Sequence, residues 1–74
     1  MSEKQPRVTG PELVRVLTGV GFVRMRQVGS HVTLERGHLH ATVPMHGSRP
    51  LKKGTLAGIL RSCEMSAADL RKLL

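Results

Sequence analysis

Leu13, Val16, Leu17 and Val20 recur at intervals of three and four, which puts them on one side of a helix. Start signals stand just ahead of them. Thr9 is a capping residue, Glu12 follows three positions on, and Pro11 falls in the first turn, where its missing N–H leaves nothing unpaired. Gly21 offers a left-handed stop and Gly19 an earlier one. The period then changes from helical to alternating. Phe22 to Val28, Val32 to Arg36 and a third run ending at Pro44 read as short strands. Between them stand Gly29-Ser30 and Gly37-His38, two-residue hairpin turns; at Gly29-Ser30 the glycine accepts the positive φ of a type II′ turn.

These turns predict a register. The first pairs Val28 with His31, Arg26 with Thr33, Met25 with Leu34 and Arg24 with Glu35. The second pairs Glu35 with His40, Leu34 with Ala41, Thr33 with Thr42 and Val32 with Val43. Opposed residues share a face, so Val23, Met25, Val32, Leu34, Ala41 and Val43 are predicted on one side of the sheet. Arg24, Arg26, His31, Thr33, Glu35, His40 and Thr42 are predicted on the other. Phe22 breaks parity and is expected at the strand entrance, leaning on the helix. Arg36 also breaks it, at a strand end where its head reaches water.

Met45 to Gly54 reads as a loop. A second helix is predicted from Thr55, with Leu56, Ile59, Leu60 and Cys63 on one stripe. Ser66 with Asp69 three positions on marks a fresh cap, opening a short last helix expected to bury Leu70, Leu73 and Leu74. The order is α-β-β-β-α with an appended helix, an α+β fold in which helices cover the apolar face of a three-stranded antiparallel sheet. That is the layout of the double-stranded-RNA-binding domain, and layout alone does not set function.

A chain of 74 residues is expected to form one domain, 1–74, with the polar stretch Met1 to Val8 mobile. Twelve Lys/Arg stand against five Asp/Glu, a net charge of +7 that attracts polyanions, RNA or DNA first and an acidic protein second. Tyr and Trp are absent and Phe22 is the only aromatic residue, which argues against base stacking on aromatic platforms. Contact with nucleic acid would then run through phosphates, sugars and shape. The single cysteine, Cys63, forms no internal disulfide and fits a reducing cytoplasm. No apolar run is long enough for a bilayer and no signal-peptide pattern is present, so no membrane partner is expected.

Against that background His31 is the candidate catalytic residue. It follows the Gly29-Ser30 turn on the predicted face of Arg24 and Arg26. Imidazole as a chemical group titrates near neutral pH and serves as acid or base, and RNA carries its own nucleophile in the 2′-hydroxyl. Guanidinium groups beside it would stabilise charge building on the phosphoryl oxygens. An exposed strand histidine of no consequence, and a solvated arginine face, are the plainer alternatives. His40, opposite Glu35, reads as a surface ion pair, and His38 as an incidental turn residue. His46 belongs to the loop after Pro44, near the predicted position of His31, and is a candidate RNA contact with Ser30. Arg49, Lys52 and Lys53 form a basic loop whose following helix start is suited to a phosphate. The histidine spacings do not match a zinc site, and carboxylates are few for a magnesium-dependent nuclease, so a metal-free mechanism with no cofactor is expected.

Three stretches together resemble the HicA (YcfA-like) mRNA interferase toxins of type II toxin–antitoxin systems. They are Gly21-Phe22 and Gly29-Ser30-His31, then Thr42-Val43-Pro44-Met45-His46 followed by Gly54-Thr55-Leu56 and Ile59-Leu60. The likeness runs from about Thr9 to Leu74. It implies a fold like the double-stranded-RNA-binding domain, a ribonuclease that cleaves mRNA and so blocks translation, and a cognate HicB antitoxin that covers the active site. It carries the family's catalytic histidine to His31 alone. Two other classes stay open: a non-catalytic RNA-binding module of this fold, and a basic protein-interaction domain.

Overall fold

The computed structural model describes residues 5–74. Helix α1 (Gly10–Gly19) is followed by strands β1 (Val23–Val28), β2 (His31–Arg36) and β3 (Leu39–Pro44), then helices α2 (Lys53–Ser62) and α3 (Ala67–Leu73). The strands form one antiparallel sheet in the order β1-β2-β3. The α+β architecture is the one the hydrophobic pattern predicts.

Local chemistry starts the helices. Thr9 accepts a hydrogen bond from the Glu12 N–H at 3.2 Å, and the Thr9 N–H donates to the Glu12 carboxylate at 2.8 Å. Ser66 and Asp69 repeat this reciprocal cap at α3, both bonds being 3.0 Å. The backbone N–H donors hold both carboxyls below their ordinary range, with the capping hydroxyls adding to the effect. A lowered folded-state pKa means stability that is present above the unfolded value and lost as pH falls through the folded one. Glu12→Gln is therefore expected to flatten the acid side of the stability curve, read by thermal unfolding from neutral pH downward. Thr9→Ala removes an acceptor at the same cap and is expected to cost about 1 kcal/mol in urea unfolding.

The core is one cluster. Leu13, Val14 and Leu17 of α1, Val32 and Leu34 of β2, Ala41 and Val43 of β3, and Leu56, Ile59 and Leu60 of α2 are all buried in it, joined by Cys63 and Leu70. Both long helices pack chiefly on β3. Phe22 is buried at the strand entrance, with its N–H on the Leu17 carbonyl at 2.9 Å. Arg36 lies over its ring at 5.8 Å and donates to the Val20 carbonyl at 3.0 Å, which ties β2 to the end of α1. Burial pushes the Cys63 thiol up, as expected for a cysteine serving as a small apolar side chain.

Five expectations are corrected. The β1–β2 register holds at Val28↔His31 and Arg26↔Thr33, but a bulge at Met25 then shifts it to Arg24↔Leu34 and Val23↔Glu35. Val23, now opposite Glu35, is carried to the uncovered face and is 59% exposed, and Met25, the unpaired bulge residue, is 53% exposed where β1 overhangs helices centred on β3. Val8, expected to be mobile, is buried: its carbonyl accepts from the Leu51 N–H at 2.8 Å, and Thr9 bridges to Pro50. Residues 1–4 of that stretch lie outside the described residues. Helix α2 begins at Lys53, ahead of Thr55, with Lys52 at the cap and no side chain bonding to it. In α3 only Leu70 is buried, and Leu73 and Leu74 are 45% and 55% exposed.

Candidate nucleic-acid interface

The two hairpin turns and the β2–β3 pairing build the site. Gly29 has φ of 58° and Ser30 does not share the left-handed region, the pattern a type II′ turn requires. The turn delivers His31 as the first residue of β2, exposed and paired with Val28 on one side and Pro44 on the other. The β2–β3 register matches the predicted one at every pair from Glu35↔His40 to Val32↔Val43. Val32 and Leu34 are buried under the helices, and the alternate residues His31, Thr33 and Glu35 form the uncovered face.

Arg26, opposed to Thr33, shares that uncovered face with His31. Arg24 does not. It opposes Leu34, and its guanidinium donates to the Gln27 side chain at 2.6 Å, while Gln27 opposes Val32. The bulge has carried Arg24 to the other side of the strand, so the predicted pair of arginines beside His31 is reduced to Arg26. Glu35 and His40 meet at 3.5 Å, the surface pair expected of them.

Beyond β3 the chain turns back past the first hairpin. The Met45 N–H donates to the Ser30 carbonyl, which pins the start of the basic loop to the residue before His31. Pro44, His46, Arg49, Pro50, Leu51, Lys52 and Thr55 line a cleft of about 270 Å³. Pro44 is thus shared: it walls the cleft and pairs with His31. His46, Arg49, Lys52 and Lys53 are all exposed. No acidic residue occupies the first turn of α2, so its free N–H groups face this basic loop without a competing carboxylate.

Arg7 is absent from the sequence-based set. The Thr9–Pro50 bridge brings it to a second recess, lined with Arg49, Lys52 and Lys53. A signal for it exists in the sequence. Val8 precedes the Thr9 cap and Leu13 stands at the fourth helical position, the two places of a hydrophobic staple, and a stapled Val8 holds Arg7 in place. Among the described residues no three His, Cys, Asp or Glu side chains gather as a metal centre would require. No described helix is long and apolar enough to cross a membrane.

Fold and site together define a small, strongly basic α+β domain that offers a histidine, an arginine and a cationic loop on one open surface. The chain belongs to the HicA toxin family of bacterial toxin–antitoxin systems, whose family model matches residues 10–65. The matched stretch runs from the first residue of α1 to just past α2, and α3 lies beyond it. Membership implies an antitoxin as partner. No curated protein matches the chain.

Proposed function

We propose that this toxin is a metal-independent endoribonuclease that cleaves mRNA, with His31 as its catalytic residue and a HicB-type antitoxin as its partner. The observation that carries the reading is the placement of an exposed histidine beside Arg26 on an uncovered sheet face, next to a loop rich in positive charge. The RNA 2′-hydroxyl attacks the adjacent phosphorus and the 5′-oxygen departs. His31 takes the proton from the attacking hydroxyl or delivers one to the leaving oxygen. Arg26 stabilises the charge that develops on the phosphoryl oxygens. Ser30, His46, Arg49, Lys52 and Lys53 hold the backbone, and Arg7 extends that track. Arg24 is left out, since it sits on the other side of β1.

Incubation of the purified protein with a single-stranded mRNA in the presence of EDTA tests the proposal. Shortened RNA is the expected result. RNA bound but intact would support a binding module instead, and no salt-dependent RNA affinity would support a protein-interaction domain. Lys52→Ala and Lys53→Ala are each expected to lower the slope of log affinity against log salt by about 0.7 on single-stranded RNA, read by fluorescence anisotropy across a salt series.

A further inference from the structure

β1 is an edge strand, and all six of its residues are exposed. Its outer edge has no neighbour in the sheet, so alternate backbone N–H and C=O groups along it are unpaired with any strand. Val23, Met25 and Val28 expose 59%, 53% and 64% of their surfaces within that one strand. Neither long helix packs substantially on it. Val23 and Val28 oppose Glu35 and His31 on the uncovered face, where the chemistry uses Arg26 alone from β1 and leaves these exposed apolar side chains unexplained. An exposed strand carrying three large apolar side chains is a template for another strand.

Charge decides what fits. Arg24 and Arg26 lie on opposite sides of β1, opposed to Leu34 and Thr33 respectively, so both flanks of the edge are cationic. A second copy meeting β1 through its own β1 would gather four arginines at one seam, two on each face, between bodies each of net charge +7. Like charges across a strand pair oppose association, so the arginines guard the edge against self-pairing. An extended segment that alternates carboxylates with apolar residues meets both requirements: it neutralises an arginine, covers valine and methionine, and satisfies the open backbone groups. We propose that β1 is the docking edge for an extended acidic segment of a partner protein, which adds to the sheet as a fourth strand. In a toxin–antitoxin pair the antitoxin is the natural source of such a segment. The proposal rests on the edge and its charge rather than on cleavage at His31, so the two fail separately.

The test uses an acetylated, amidated peptide alternating glutamate with valine, a lysine–valine counterpart, and the full-length toxin. Amide hydrogen exchange followed by NMR reads where each binds. The glutamate peptide is expected to slow exchange along β1 and to bind about tenfold more tightly than the lysine peptide. Arg24→Glu is expected to remove most of that preference. Arg61→Glu, which makes the same charge change on α2, is expected to keep it. Protection confined to other elements, no binding of the glutamate peptide, or equal losses in the two variants would overturn the proposal. So would concentration-dependent protection of β1 in the peptide-free protein, which would make a second copy the occupant.

Discussion

His31→Ala is expected to slow RNA cleavage by about 10²–10⁴-fold, the range over which a positioned acid or base acts, and to leave the fold intact. The side chain is exposed, makes no hydrogen bond or ion pair among the described residues, and belongs to a hairpin whose geometry is set by Gly29 and by its neighbours' backbone. Surface changes of this kind shift stability by within about 0.5 kcal/mol. RNA affinity is expected to survive, since Arg49, Lys52 and Lys53 stand on a separate loop. Cleavage rate, circular dichroism and anisotropy on one preparation separate these effects. A variant that cuts as fast as the parent would remove His31 from the chemistry. One that unfolds would remove the premise that the residue is dispensable to the fold.

Gly10→Ala is expected to be the most damaging small change in the chain. Gly10 is the first residue of α1 and is buried. A Cβ there would fall on the carbonyl oxygen of Pro44 and lie 3.0 Å from the Pro44 carbonyl carbon and 3.2 Å from the Met45 Cα. All three atoms are backbone, so no side chain can swing away. Either α1 lifts from β3 or the end of β3 moves, at a cost of about 1–3 kcal/mol or more. Pro44 is the partner of His31 and a wall of the basic cleft, so cleavage is expected to fall together with stability. The sign runs against helix propensity, which favours alanine. Gly58→Ala in α2, where a Cβ would meet nothing within 4 Å, serves as the control. It is expected to stabilise by about 0.5–1 kcal/mol. Urea unfolding of both variants reads the contrast.

Much of the frame was legible because it is set by near neighbours. The Thr9–Glu12 and Ser66–Asp69 boxes are four-residue devices, and both are present. The β2–β3 register follows from a two-residue turn and strict alternation, and each predicted pair occurs. The uncovered position of His31 follows from the same parity. The bulge at Met25 was not legible. Val23, Arg24, Met25 and Arg26 alternate as cleanly as any regular strand, and nothing local marks the extra residue. Arg24 changed sides for that reason alone. The start of α2 at Lys53 is not legible because Gly54 is a weak helix signal and the backbone enters the helix there without a side-chain cap.

The chain by itself determined the order of elements, the two turns, the helix caps and a histidine at the head of β2. Each depends on dihedral preference, hydrogen bonding or period within a few residues. Only the tertiary structure decided which strand would lack a cover. With both long helices seated on β3, β1 overhangs, and Met25 stays exposed although the alternation assigns it to the core face, while the bulge carries Val23 to the uncovered face. Only the tertiary structure, too, joined Val8 to Leu51 and set Arg7 beside Arg49, Lys52 and Lys53. Those contacts join segments some forty residues apart along the chain, where burial of apolar surface decides the outcome and local preference carries no information.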